Sequence, residues 1–299
     1  MTICDLKISY VVPAYNHARF ISKSLESIKN DGVSSGYNFE IIIIDDGSID
    51  ATADIISDWC DNNKLVNVTF IRQLNQGITR TLNSLYSRAR GEYIRPCSSD
   101  DIVEINSSKL MIDAFNENVS CVFGDCLLID DDGNEVGRSS ISYHRGNKHA
   151  LTTGDLRLEL IKRWCVAGPS LMLSREFVRK YRYDETSHID DFDMFLTLIK
   201  LENEIVFVDE SMCKYRIHST NTSKTKNIES RIINTTSFLN LIYKHLTDIG
   251  EPTYHHELNR LSYYTQAKLA YLKGDYFKLL KSLIHYLLIS GKPHGRGDL

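Results

Sequence analysis

The run Glu92-Tyr93-Ile94-Arg95-Pro96-Cys97-Ser98-Ser99-Asp100-Asp101 opens as a short strand and closes in two adjacent carboxylates. An apolar core has no use for that pair, because burying an unpaired carboxylate is very costly. Two acids at a strand tip make a seat for a hard divalent cation, which prefers oxygen ligands and commonly bridges a substrate's phosphates. The same residues also read as a turn or helix start after Ser98-Ser99, with the acids solvated near a helix N-terminus. A second pair, Asp45-Asp46, follows directly on four isoleucines, and a third acidic group, Asp190-Asp191-Phe192-Asp193, opens an apolar run.

The elements around these acids predict where they stand. Residues 7–13 form a β-branched and aromatic strand stopped by Pro13. Asn16 is placed to cap the next segment, where Phe20, Ile21, Ser24, Leu25 and Ile28 fall on one helical face. The isoleucines of residues 41–44 predict a strand buried on both faces, as in a parallel sheet. Residues 45–50 then lead into a helix with Ile55, Ile56 and Trp59 inward. Residues 68–71 read as a third strand, and Asn75-Gln76-Gly77 as a turn into a helix using Ile78, Leu82, Leu85, Tyr86 and Ala89. Residues 93–97 complete the alternation that defines a parallel, helix-covered α/β sheet. Ligands of such sheets collect beyond the carboxyl ends of the strands. Tyr15-Asn16, Asp45-Asp46 and Asp100-Asp101 all fall at that edge.

The second half is less regular. Residues 108–116 predict a helix, 121–129 a strand closed by the turn Asp131-Asp132-Gly133-Asn134, and 155–164 a helix before Gly168-Pro169-Ser170. Residues 138–154 are polar and aperiodic and read as a mobile loop. A strand at 205–208 precedes Tyr215-Arg216-Ile217-His218, and from Ile228 onward the pattern is helical, broken near Gly250-Glu251-Pro252 and Gly274.

With 299 residues the chain is long enough for one large domain and an appendage. A net charge of −4 carries no global signal for nucleic acid. The seven cysteines are scattered without a Cys-x-x-Cys, which points to reduced thiols in a cytosol. No signal peptide is read at the N-terminus, and no apolar run approaches the ~20 residues that span a bilayer.

Taken together, Val11-Val12-Pro13-Ala14-Tyr15-Asn16, the stretch Asp45-Asp46-Gly47-Ser48-Ile49-Asp50-Ala51-Thr52, Asn75-Gln76-Gly77 through Asn83, Ala89-Arg90-Gly91-Glu92-Tyr93-Ile94, Asp190-Asp191-Phe192-Asp193 and Tyr215-Arg216-Ile217-His218 with Asn221 and Ser223 form an ordered series. In that order and spacing they resemble the signatures of the inverting family 2 glycosyltransferases of GT-A fold, the type that builds bacterial surface polysaccharides. The resemblance runs from residue 6 to about residue 226. It implies a GT-A domain over residues 1–226, with a nucleotide-binding half at 1–97 and a metal and acceptor half at 98–226, and then a helical region at 227–299. One departure stands out. Where the family writes Asp-x-Asp, this chain has Ser98-Ser99-Asp100-Asp101. The family binds its metal mainly through the second acid, here Asp100, so the main ligand is kept and a ribose-contacting carboxylate is lost.

Carried over residue by residue, the resemblance implies these roles. Pro13, Ala14, Tyr15 and Asn16 wall the base and ribose, and Asp45 accepts the imide hydrogen of a uracil-like base with Asp46 alongside. Gly77, Arg80, Ser98, Asp100 and Arg216 surround the rest of the nucleotide sugar. Asp100, Asp101 and His218 hold Mn2+ or Mg2+. Gly168, Pro169, Ser170 and Asp190 shape the sugar and acceptor pocket. Asp191 is the catalytic base, a role that typically contributes ~10²–10⁴-fold, and crowding by Asp190 and Asp193 is expected to raise at least one of the three pKa values. Plainer readings stand beside these: a turn and cap at Asp45, a surface histidine at His218, a structural salt bridge at Arg216, an exposed helix residue at Arg80, and helix-start acids at Asp190 and Asp193.

The implied partners are a nucleotide-sugar donor and a glycan or undecaprenyl-diphosphate-linked acceptor, with no nucleic acid and room for a homodimer. The expected location is cytoplasmic, peripheral on the inner face of the membrane. Between residues 260 and 292, six basic side chains face Asp275 alone, interleaved with leucines, so this end reads either as a membrane-resting amphipath or as helices packed on protein. Two other functions fit parts of the pattern. A sugar nucleotidyltransferase would need a glycine-rich phosphate loop after the first strand, where Pro13-Ala14-Tyr15-Asn16 stands instead. A non-catalytic nucleotide-sugar binder is favoured by Ser98 and opposed by Asp100, Asp191 and His218.

Overall fold

The structure, a computed structural model, describes residues 6–185, 191–218 and 227–290. The first half is laid down as strand and helix in turn: β1 (Ile8–Ala14), α1 (Ile21–Ser35), β2 (Phe39–Asp45), α2 (Thr52–Asn62), β3 (Val68–Arg72), α3 (Ile78–Arg88) and β4 (Tyr93–Pro96). β2 pairs in parallel with β1 and β3, and β1 with β4, so their carboxyl ends share one edge. The isoleucine run explains why β2 is an interior strand, covered on both faces. Successive side chains point to opposite faces, and Ile42 and Ile44 pack in one core cluster with Leu82 and Leu85 of α3, while Ile41 and Ile43 pack in the other with Leu25 and Ile28 of α1.

The chain continues through β5 (Ile102–Val103), α4 (Ser107–Asp113), β6 (Val119–Ile129), β7 (Glu135–Gly137), α5 (Ser140–Tyr143), α6 (Lys148–Thr153), α7 (Leu156–Lys162), β8 (Leu171–Ser174), α8 (Arg175–Lys180), α9 (Asp191–Lys200) and β9 (Glu204–Arg216). Among the described residues these complete a mixed sheet in the order β3-β2-β1-β4-β8-β6-β9-β5, with β7 beside β6. Because β8 runs antiparallel to β4, the residues just before it, Gly168-Pro169-Ser170, lie at the carboxyl edge of β1 and β4. Buried Arg95 locks the two halves: its Nη1 meets Asp31 of α1 at 2.9 Å, and its Nη2 donates to the Met212 carbonyl of β9 at 2.9 Å. Three helices follow, α10 (Ile228–Leu246), α11 (Pro252–Leu272) and α12 (Tyr276–Ser290), separated where the glycines and Pro252 stand.

Three expectations need correction. Residues 138–154 are not an open loop: α5 and α6 form there, capped by the side chains of Ser139 and Asn147. Buried Asp125 holds α5 to β6 by accepting from Ser140 Oγ and the Ile141 N–H, and pairs with Lys148 of α6 at 2.7 Å. The strand read at 205–208 runs on to Arg216, because β9 pairs with β6 on both sides of a register shift at its polar middle, near residues 209–212. Asn16 does not cap α1. It adopts a left-handed backbone (φ 54°) and its Oδ1 accepts the Ile49 N–H, so it bridges to the next loop instead.

Candidate active site

The loop after β1 and the loop after β2 are stitched together. The Asn16 N–H donates to Ser48 Oγ (2.9 Å), the His17 N–H to Thr52 Oγ1 (2.8 Å) and the Ala18 N–H to Asp50 (3.2 Å). The motif of residues 45–52 is thus a fixed platform under Tyr15, Asn16 and His17. Pro13 and Ala14 end β1 beside Ile44 and Asp45, and Tyr15 is about half exposed beyond them.

Asp45 and Asp46 do different work. Asp46 accepts the Gln76 and Gly77 N–H groups at 2.8 and 2.9 Å and the Gln73 amide at 2.8 Å, so it ties the start of α3 to β2. Gly77, at φ +88°, bends the chain into that helix in a conformation that side chains rarely adopt. Asp46 is therefore occupied by two main-chain N–H groups and the Gln73 amide, where the sequence placed it alongside the base. Asp45 is buried, its Oδ2 accepts the Ser48 N–H at 3.3 Å, and its Oδ1 meets no partner among the described residues.

At the tip of β4, three ligand atoms converge. His218 Nε2 lies 2.8 Å and His17 Nε2 3.8 Å from Asp100 Oδ2, and the His17, Asp100 and His218 atoms all fall within 4.8 Å of one another. His17 was missed by sequence reasoning, which followed acid pairs. Its only sequence signal is its place directly after Tyr15-Asn16. Asp101, expected beside Asp100 on the metal, is not in this trio. It is buried, accepts the Arg216 N–H at 2.7 Å and bonds the Ser98 side chain. Burial first, and then the Asp100 charge, push its carboxyl well above the usual range. That pairing also engages Ser98, expected at the nucleotide sugar.

Arg216, expected to grip phosphate, instead clamps main chain. Its Nε donates to the Asp100 carbonyl at 2.8 Å and its Nη1 to the Asp130 carbonyl at 2.6 Å, and its guanidinium lies over the Phe20 ring. It therefore fixes the loop that carries Asp100. Arg80 stands exposed on α3 and pairs with Glu185 at 3.2 Å.

Asp191 begins α9 across the edge. A methyl group built on Gly168 would come within 3.1 Å of its Oδ2, which brings this acid against the turn that precedes β8. In that turn Pro169 and Ser170 are buried, and Ser170 Oγ donates to the Ala167 carbonyl at 2.7 Å. Asp193 is not an acid of this group whose pKa is raised. Burial raises its pKa, but the bond from His245 Nε2 (2.6 Å) and the Lys244 charge outweigh burial, and it titrates below the ordinary carboxylate range. Asp190, Asn221 and Ser223 lie outside the described residues.

The sheet order defines a mixed α/β fold whose acids stand at the carboxyl edge, and solved structures share it. A mannosyltransferase from Pyrobaculum calidifontis, solved with GDP-Man and Mn2+, superposes with a TM-score of 0.65 over 98% of this chain and 76% of that one, at 16% identity. S. aureus TarS 1-349 with UDP-GlcNAc superposes at 0.62 over 95% and 81%, at 15% identity. The fold is the GT-A fold.

Residues 9–182, more than half of the chain, match the family described as "Glycosyl transferase family 2", and the chain belongs to that family. Among curated relatives, chondroitin synthase of Escherichia coli is 34% identical over 131 residues, 43% of this chain and 18% of that protein. Hyaluronan synthase of Pasteurella multocida is 27% identical over 225 residues, 73% of this chain and 21% of that protein. The chain thus spans well under half the length of these relatives.

Proposed function

We propose that this chain is a metal-dependent, inverting glycosyltransferase that moves a hexose from a nucleotide-diphosphate sugar to a glycan or lipid-linked acceptor during synthesis of a surface polysaccharide such as O-antigen, capsule or exopolysaccharide. The observation that carries the reading is the shared edge, where Asp45, the Asp100–His218 pair and Asp191 beside Gly168 all gather. The names of the polysaccharide synthases among the relatives support the acceptor class. A UDP-sugar is preferred because the unpaired Asp45 Oδ1 suits the single imide hydrogen of uracil.

Asp100 and His218 fit a divalent cation, Mn2+ or Mg2+, through one carboxylate oxygen and one imidazole nitrogen. Bound there, the cation supplies the positive charge that a diphosphate leaving group needs as the bond to the sugar breaks. Asp191 takes the proton of the acceptor hydroxyl as that oxygen bonds to the anomeric carbon from the face opposite the leaving diphosphate, which inverts the centre. Family membership sets aside a nucleotidyltransferase. A lipid-linked acceptor would be met at a membrane, and the basic, apolar surface of α12 suits that encounter.

The test is release of nucleoside diphosphate from a panel of UDP- and GDP-sugars with Mn2+ or Mg2+, in the wild type and in Asp191→Asn. The expected loss is ~10²–10⁴-fold, with the rise in melting point on adding the nucleotide unchanged. Undiminished release by the variant removes Asp191 from the role of base. A wild type that is stabilised by nucleotide sugar but releases nothing is a binder.

A further inference from the structure

Asp100 keeps company that a hard cation does not ask for. Mg2+ prefers six oxygens in near-ideal octahedral geometry, and gives up water reluctantly. Here two imidazole nitrogens converge on Asp100 Oδ2, and the neighbouring carboxylate, Asp101, is engaged elsewhere. We infer that His17 is the third protein ligand of this site, standing in for the carboxylate that Ser98 lacks, and that two imidazoles with one carboxylate select a borderline transition-metal ion over Mg2+. The inference rests on the metal-dependent reading of the same site.

The distances support it. Ligand atoms ~2.1 Å from one ion stand ~3.0 Å apart at a right angle and ~3.4 Å apart in a tetrahedron. The separations from Asp100 Oδ2, 2.8 Å to His218 and 3.8 Å to His17, bracket those values. His17 is also built into place. Its main-chain N–H is held by Thr52, and its Nδ1 lies 2.7 Å from the Oγ of buried Ser99. When Nδ1 donates there, the lone pair is on Nε2, the atom that faces Asp100. Histidine ligands in metal sites are characteristically oriented by such a bond on the other ring nitrogen. Imidazole favours Co2+ over Mn2+, and both over Mg2+, in the usual order of divalent affinities.

The full chain, stripped with chelator, is titrated by calorimetry with MgCl2, MnCl2 and CoCl2 in the absence of nucleotide, with Co2+ also followed by visible absorption. Wild type is expected to bind Co2+ tightest, then Mn2+, with Mg2+ at least ~10-fold weaker than Mn2+. His17→Gln should lose at least ~10-fold for Mn2+ and Co2+ and weaken the visible band, because even partners one shell out cost ~10–100-fold. Adding Ser98→Asp to that variant should recover Mn2+ binding and narrow the gap to Mg2+. Ser99→Ala removes no ligand atom, and should still cost ~10–100-fold; it carries the test if His17→Gln does not fold. Unchanged affinity and an unchanged Mn2+ to Mg2+ ratio in these variants overturn the role of His17 and leave the cation on Asp100 and His218. No heat and no band with any ion in wild type overturns the metal reading itself.

Discussion

Asp45 ends β2 with 1% of its surface exposed, and its Oδ1 has no partner among the described residues. A buried acceptor left unpaired costs ~1–3 kcal/mol, more if charged, and a hydrogen bond to a charged group returns ~1.5–3 kcal/mol. Asp45→Asn is therefore expected to weaken binding of UDP by ~10–100-fold without lowering the melting point of the free protein. Calorimetric titration beside a thermal melt checks both. A lower melting point with unchanged UDP affinity would make Asp45 a turn residue and nothing more. Its neighbour Asp46 shows why the pair is unequal: its carboxylate accepts from Gln73, Gln76 and Gly77, the segment that leads into α3. The residue types were legible in the sequence at both positions. Which carboxylate retains an open oxygen was not, because that depends on where residues 73–77 return in space.

Helix α9 is anchored from outside the family-matched region. Asp193 is buried and meets Lys244 at 3.1 Å and His245 at 2.6 Å, both on α10. A charge left alone in such a site costs ~3–5 kcal/mol, so His245→Ala together with Lys244→Ala should lower stability by roughly that amount and shift Asp191, two residues away. The pH dependence has a definite sign. Burial raises the Asp193 pKa, but His245 and Lys244 bring it below its ordinary value. A depressed carboxylate stabilises the fold above its unfolded pKa, and that contribution fades as pH falls through the lower folded value. The stability gap between wild type and Asp193→Asn in urea should be constant near neutrality and shrink below about pH 4. A gap that does not change with pH would remove the anchor. In the sequence Asp193 looked like a helix-start acid, since nothing local marks a partner 52 residues on. Residues 138–154 were misread for a related reason: helices of four and six residues are too short to show periodicity, although Ser139 and Asn147 carried the cap signal.

Over the whole molecule, the surface that stands apart is α12. Only Ser282 of its residues is buried, while Phe277, Leu280, Ile284, Leu287 and Leu288 are exposed. A groove of ≈ 710 Å³ runs among α10, α11 and α12, away from the strand edge, and is lined by Lys273, Lys278 and Lys281. No helix among the described residues is long and apolar enough to cross a membrane. Exposed leucines beside lysines are complementary to an anionic lipid surface, worth ~1 kcal/mol for each basic residue near it. The full chain is expected to float with vesicles containing phosphatidylglycerol, less with phosphatidylcholine alone, and less again at high salt. Lys278→Glu with Lys281→Glu should abolish flotation and spare nucleotide binding. Failure to float with either vesicle, or a dimer in sedimentation that buries α12, would replace the lipid by protein.

The order of elements, the parallel sheet and the edge at which the acids gather are written in local pattern: alternation of buried isoleucines, turn residues after each strand, and helical spacing between them. Those cues act within a few residues of one another, so one sequence suffices to read them. The trio of His17, Asp100 and His218, the clamp of Arg216 on main-chain carbonyls and the Asp193 anchor join residues from 51 to 201 positions apart. Only the packing of β1, β4 and β9 in one sheet, and of α10 against α9, decides such meetings, because residue type does not encode the direction in which a side chain will point.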